Sequence, residues 1–258
     1  MNQIIGKKRI EDLEVTGNKW LNEDYFVLTL RSEEILPDIR AGQFTQVKVE
    51  GSPETFLRRP ISFYDVHPSS REIRLLIRKA GAGTKRLSAL NKGEKVNMIY
   101  PLGRPFSLLE GNRFLLVGGG VGLAPLYLLG KELHRAGKEI VFLFGFRSAG
   151  QLFDLSQFKD LGELYLTTED GSKGEKGLVT GHPVMEQGWD AIYTCGPEPM
   201  MKVIAAVAAE KGVPCEASLE TLMGCGFGAC LCCAVETVHG MQRACVEGPV
   251  FNTKELLW

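Results

Sequence analysis

Short runs of apolar, β-branched and aromatic residues recur over the first 110 positions. They are Tyr25-Phe-Val-Leu-Thr-Leu30, Phe44-Thr-Gln-Val-Lys-Val49, Ile61-Ser-Phe-Tyr64, Ile73-Arg-Leu-Leu-Ile-Arg78 and Val96-Asn-Met-Ile99. Turn-forming clusters separate them at Pro37-Asp38, Gly51-Ser-Pro53, Pro68-Ser-Ser70 and Asn91-Lys-Gly93. Strands at this spacing predict an antiparallel barrel or sandwich, with one short helix over Thr84–Leu90. From Gly111-Asn112 the pattern changes to strands alternating with helical segments. Strands are predicted at Phe114–Val117, Glu139–Phe144, Glu163–Thr167 and Ala191–Thr194, with helices running to about Ala136 and from Pro197 to Lys211. That alternation predicts a parallel α/β sheet. After Gly212-Val-Pro214 the chain enters a cysteine-rich tail too short to build a large core of its own.

Length and composition narrow the picture. A chain of 258 residues has room for about two domains and an appendage. Its 44% hydrophobic and 24% charged content is ordinary for a globular protein. A net charge of −1 gives no electrostatic case for binding nucleic acid or an anionic membrane. The start, MNQIIGKKRIEDLEV, lacks the apolar stretch and cleavage site of a signal peptide. Phe114 to Gly130 is uncharged over about 17 residues, the lower edge of spanning length. Its glycines at 118, 119, 120 and 122 and Pro125 predict a buried strand, a loop and a helix start instead of a membrane span.

All seven cysteines lie after residue 194, and five fall between Cys225 and Cys245. An odd count without a secretory signal argues against a disulfide framework. Cys225-Gly-Phe-Gly-Ala-Cys230-Leu-Cys-Cys233 has C-x4-C-x2-C spacing, with Cys245 beyond it, the plant-type arrangement around a [2Fe–2S] cluster. Gly224, Gly226 and Gly228 suit a loop that must turn sharply and bring its amides near sulfur. A zinc knuckle or buried free thiols are the alternatives, but zinc favours paired C-x2-C or added histidines, and only His239 is near. Cys232, which also forms C-x-C with Cys230, is read as a non-ligand.

Three further segments carry candidate chemistry. Arg59-Pro-Ile-Ser62, with Gly81-Ala-Gly-Thr84 opening a short helix, offers a guanidinium, a hydroxyl and amides to a phosphate and a flavin edge; a strand bend and a plain turn read equally well. Gly120-x-Gly122-x-x-Pro125 follows a predicted strand and opens a helix, the context of a dinucleotide loop, without the usual third glycine. Phe144-Gly-Phe-Arg-Ser148 should lie near the adenosine ribose; it holds Arg147 and no carboxylate, leaving NAD and NADP both open. Thr194-Cys-Gly-Pro197 ends a strand in the crevice region, where Cys195 is placed near the nicotinamide, or simply caps a helix.

Together these segments resemble the ferredoxin-NADP reductase superfamily, whose members carry Arg-x-x-Ser, a glycine-rich loop and Cys-Gly-Pro in this order. Within it the tail resembles the electron-transfer subunits of type B dihydroorotate dehydrogenase, through Cys225 to Cys233 and Cys245-Val-Glu-Gly-Pro-Val-Phe251. The resemblance implies an α+β multidomain chain: an antiparallel β-barrel FAD domain (1–110), a parallel α/β NAD(P) domain (111–213) and a small [2Fe–2S] subdomain (214–258). It implies FAD contacts from Arg59, Pro60, Ile61, Ser62, Ile77, Gly81, Gly83 and Thr84, and nicotinamide nucleotide contacts from Gly120, Gly122, Pro125, Cys195 and Gly196. Cys225, Cys230, Cys233 and Cys245 would ligate the cluster.

A flavin links two-electron hydride chemistry to one-electron cluster chemistry, so no protein acid or base is assigned to catalysis. No room remains for a barrel of roughly 250 residues that would oxidise dihydroorotate. The resemblance therefore implies a separate FMN-containing catalytic subunit in a cytoplasmic hetero-oligomer, a heterotetramer. A small subunit of a ferredoxin:NADP oxidoreductase or of a sulfide/polysulfide reductase shares the same segments. A non-enzymatic redox sensor is a further reading.

Overall fold

The structure, a computed structural model, describes residues 8–52 and 54–258. Pro53, part of one predicted turn signal, and the first seven residues of the segment read for a leader lie outside the described residues.

The N-terminal half supplies β1 (Arg9–Trp20), β2 (Tyr25–Arg31), β3 (Phe44–Val47), β4 (Arg59–Ser62), β5 (Asp65–His67), β6 (Glu72–Arg78), α1 (Ala82–Ser88) and β7 (Lys95–Leu102). The sheet runs β4-β3-β7-β1-β2-β6-β5, antiparallel throughout. Its two edge strands are consecutive in the chain. Phe63 N–H donates to Gln43 O at 3.2 Å and Tyr64 N–H to Arg74 O at 3.1 Å, so the two-residue link hands the chain from one edge to the other and closes the sheet into a barrel. Pro60 sits on β4, which pairs only with β3, so its missing donor leaves no ladder bond unmade.

The C-terminal half supplies β8 (Arg113–Gly119), α2 (Leu123–Arg135), β9 (Glu139–Phe146), α3 (Ser156–Lys159), β10 (Glu163–Thr168), β11 (Glu175–Lys176), β12 (Ala191–Cys195), α4 (Glu198–Glu210) and β13 (Cys215–Ser218). After these come β14 (Ala234–Thr237), β15 (Gly240–Arg243) and β16 (Val250–Asn252). The second sheet is ordered β11-β10-β9-β8-β12-β13-β16, parallel except at β16. Its strands are buried and nearly continuous in apolar residues, as expected of a sheet covered on both faces. Between β8 and β12 the strand order reverses, which opens a ligand crevice at their carboxyl ends. The uncharged Phe114–Gly130 stretch is β8, a 3₁₀ turn and the start of α2. Among the described residues, no helix is long and apolar enough to cross a membrane.

β13 and β16 both lie in this sheet, although their residues fall in the 214–258 range. The cysteine loop therefore starts from one strand and returns to its neighbour, with the β14–β15 hairpin between. One hydrophobic core runs from the barrel (Leu28, Phe63) into the α/β unit (Leu126, Phe142). Polar contacts cross the same junction: Ala41 N–H donates to Glu132 at 2.9 Å, Ser107 N–H to Glu216 at 2.9 Å, and Lys131 pairs with buried Asp65.

Candidate functional site

A cavity of about 370 Å³ lies where the barrel meets the α/β unit. β4 contributes Pro60, Ile61 and Ser62 to its wall, β6 contributes Ile77 and Arg78, and α1 contributes Thr84. Pro125, in the first turn of α2, closes the opposite side. The mixture of flat apolar surface and a few polar groups suits an aromatic ring system. Arg59, Gly81 and Gly83 fall outside this wall, with Gly81 exposed and Gly83 buried at the start of α1. There a Cβ on Gly83 would stand 3.0 Å from Arg59 Nε, so the missing side chain lets the guanidinium rest against the helix. Thr84 Oγ1 accepts N–H bonds from Ala80 and Gly81 at 2.9 and 3.1 Å, which fixes the turn.

A second cavity, about 480 Å³, fills the crevice at the carboxyl ends of the parallel strands. Gly120 and Gly196 line it from the ends of β8 and β12. Gly122 does not; it is where the two strand ends touch, since a Cβ there would overlap the Cys195 carbonyl oxygen and stand 2.7 Å from Gly196 N. Cys195 is 2% exposed and lines neither cavity. Burial first of all pushes its thiol well up, with the Glu220 carboxylate adding to this and a Ser218 hydrogen bond opposing it. The neutral thiol lies behind the loop.

Two residues unread in the sequence stand in these walls. Glu169 follows β10 and shares the second cavity with Arg147, so the crevice does hold a carboxylate, supplied by the strand beside β9. An acidic residue two positions past the predicted strand Glu163–Thr167 is the signal in the sequence. Glu220 lines both cavities together with Arg78 and Val121, so the two spaces are contiguous. Its carboxylate faces the open cavities yet is ringed by protein, and that desolvation raises its pKa. Nothing in its sequence context marks it.

The four candidate ligands come together in two pairs. Cys230 Sγ accepts Cys225 N–H at 3.4 Å, and Cys225 Sγ accepts Ala229 N–H at 3.3 Å. Cys233 and Cys245 are buried side by side, at 2% and 0% exposure, with the Gly228 N–H turned to Cys245. Burial and the neighbouring Cys233 push the Cys245 thiol up to about 12. Burial also acts to raise Cys225, but amide donors from Phe227, Cys230 and Ala229 outweigh it and bring that thiol down to about 6. Gly226 and Gly228, at φ +79° and +93°, allow the turns that aim these amides. Two pairs of thiols suit two irons with two cysteines each. Cys232 is exposed and takes no part in either pair. Phe44 and Met223 line the first cavity and pack in one apolar cluster with Cys233 and Cys245.

Comparison with known proteins matches this layout segment by segment. Residues 220–257 match the model of the iron–sulfur cluster binding domain of dihydroorotate dehydrogenase B, and residues 116–206 that of an oxidoreductase NAD-binding domain. The electron transfer subunit of dihydroorotate dehydrogenase B (NAD(+)) from Shouchella clausii is 37% identical over 97% of this chain and 99% of its own length. The chain belongs to this family. The Fusobacterium nucleatum subunit is 34% identical over 96% of this chain and 98% of its own length. Among solved structures, the NADH-dependent reduced ferredoxin-NADP oxidoreductase superposes with a TM-score of 0.86 at 32% identity, covering 95% of this chain and 90% of that one. The FAD/NAD-binding domain of a Vibrio cholerae nitric oxide dioxygenase, at 20% identity and TM-score 0.66 over 78% and 93% of the two chains, shares the fold. The expected architecture, a β-barrel beside a parallel α/β unit with a cluster-binding tail, is what the chain adopts.

Proposed function

We propose that this chain is the electron-transfer subunit through which electrons from dihydroorotate oxidation, delivered by a separate FMN subunit, reach NAD⁺ by way of a [2Fe–2S] cluster and FAD. The observation that carries the reading is contiguity. The nucleotide crevice meets the barrel cavity at Arg78, Val121 and Glu220, and the barrel cavity meets the cysteine pairs through Phe44 and Met223. Three redox sites in a row are what a relay requires. FAD supplies the conversion between hydride and single electrons, and the cluster supplies one-electron exchange.

In this reading residues 1–110 hold the flavin, 111–213 the nicotinamide nucleotide and 214–258 the cluster. Pro60, Ile61, Ser62, Ile77 and Thr84 hold the ring system, and Arg59, Gly81 and Gly83 the phosphate-bearing part outside the cavity. Gly120 and Gly196 let the nucleotide approach the backbone, while Gly122, Pro125 and Cys195 shape the loop. Glu169 takes the adenosine ribose 2′-hydroxyl and opposes a 2′-phosphate, which favours NAD. Cys225 with Cys230, and Cys233 with Cys245, ligate the two irons. Around the thiols the surface is apolar: Leu222, Phe227 and Leu231 are exposed, a rim that a partner subunit would cover. We place the relay in the cytoplasm, where the dissociable nicotinamide pool is available.

The test is a reconstitution. The anaerobically purified chain is mixed with the FMN subunit from the same source, and dihydroorotate-dependent NAD⁺ reduction is followed, with NADH-to-dye reduction by the chain alone as control. NADH formation only with both subunits is expected. A working dye control with no dihydroorotate-driven reduction would reject the pyrimidine partner and favour a ferredoxin-linked complex, the class of the 0.86 structural match.

A further inference from the structure

β3 carries two side chains, Phe44 and Gln46, that the two-residue strand period puts on one face. Phe44 lines the barrel cavity, and Gln46 reaches the cysteine loop. A Cβ on Gly226, the residue after Cys225, would overlap Gln46 Cγ and lie 2.8 Å from its Nε2. Gln46 is 0% exposed, and both Nε2 and Oε1 lack any hydrogen-bond partner. Its neighbours show no such deficit: Thr45 donates to Ile99 O at 3.1 Å and Gln43 to Gly103 O at 3.0 Å. A buried amide left unpaired is costly, and native interiors seldom keep one without a reason.

Nε2 is the polar atom of Gln46 nearest Gly226, so an acceptor on the loop side would pair it. The acceptors this loop concentrates are sulfurs. Oε1 turned toward anionic sulfur would be repelled, which fixes the sense of the amide. We infer that Gln46 donates its side-chain N–H to sulfur at the Cys225 end of the cluster and raises the cluster's reduction potential. It is a positioning residue that links the strand under the flavin cavity to the first cluster ligand. Reduction adds one electron and one negative charge, and the amide proton stays on nitrogen. A donor therefore stabilises the reduced state more than the oxidised one.

This inference rests on the cluster reading proposed above. The test uses the full chain with its cluster, reduced stepwise in a spectroelectrochemical cell and followed by visible absorbance and electron paramagnetic resonance. Gln46→Met removes the donor at similar volume, and Gln46→His restores one. Met is expected to shift the reduction equilibrium roughly threefold to tenfold toward the oxidised cluster, at most about 59 mV for a one-electron couple. His should return most of that shift. Equal potentials in wild type and Gln46→Met overturn the inference while leaving the cluster reading intact. A wild-type chain without cluster absorbance overturns the cluster reading itself. Should Gln46→Met fail to assemble, wild-type chain carrying ¹⁵N only in glutamine side-chain amides decides. Hyperfine coupling of the reduced cluster to that nitrogen supports the inference, and its absence rejects it.

Discussion

Replacing Gly122 with alanine separates two costs that a glycine in a nucleotide loop can carry. Gly122 has φ −60° and ψ −12°, a conformation alanine adopts freely. The added methyl is what fails to fit. It would overlap the Cys195 carbonyl oxygen and stand 2.5 Å from its carbon and 2.7 Å from Gly196 N. All three are backbone atoms, so no rotamer change relieves the contact and the ends of β8 and β12 must part. Overpacking of this kind costs about 1–3 kcal/mol, offset by about 0.4–1 kcal/mol from a less flexible unfolded chain. A net loss of about 1–2 kcal/mol corresponds to roughly 2–8 °C in Tm for a chain of this size. Gly120→Ala is the comparison. There φ is +55°, and the nearest heavy atom to the new Cβ is Tyr25 Oη at 3.5 Å. Its cost of about 1–2 kcal/mol comes from the left-handed backbone alone. Both variants lose stability, and both should raise KM for NADH severalfold in dye reduction while flavin content holds, Gly122→Ala by spreading the crevice and Gly120→Ala by placing a methyl where the nucleotide approaches the backbone. Gly122→Ala with wild-type Tm and wild-type KM would refute the reasoning.

Glu169→Gln should weaken the preference for NADH over NADPH about tenfold, since one like charge is removed from the 2′-phosphate position; the ratio of kcat/KM for the two nucleotides reads it. Serine at Cys225, Cys230, Cys233 or Cys245 should abolish stable cluster binding, whereas Cys232→Ser should keep the wild-type iron content, both measured by iron analysis and visible absorbance. Glu132 is half-buried at the barrel junction, and desolvation raises its pKa, with the Ala41 amide and Arg40 opposing. A raised carboxyl pKa means the folded state holds the proton more tightly, so the contribution is full at acid pH and is lost as pH rises through the folded-state value. Tm of Glu132→Gln should accordingly fall less than wild type between acid and neutral pH; an equal fall would count against the burial argument.

Runs with strong chemistry were legible, and weakly patterned ones were not. The strands of the parallel sheet announce themselves because burial on both faces demands unbroken apolar residues, as in Phe114–Val117. β1 is not legible in the pattern, although it pairs with β2 and β7 in the middle of the barrel. Along Arg9–Trp20 only Leu13 and Val15 are buried, and the charged residues between them hide the alternation. The cysteine spacing was readable because cluster geometry restricts it, and so was the glycine loop. Glu220 and Gln46 were not, since each acts through what the fold brings opposite it. Glu220 comes between the cavity at the barrel junction and the crevice at the strand ends, and Gln46 meets Gly226, 180 positions away in the sequence. Cys195 shows the reverse case: its motif drew attention, and the fold puts its thiol behind the crevice wall.

The central claim is that electrons leave or enter through the cysteine pairs, and one measurement addresses it directly. Chain carrying Cys233→Ala, verified to lack cluster iron and to retain flavin, is combined with the FMN subunit, and dihydroorotate-dependent NADH formation is recorded beside NADH-to-dye reduction. The account predicts that dye reduction persists while dihydroorotate-dependent NADH formation disappears. NADH formation at the wild-type rate without the cluster would contradict it.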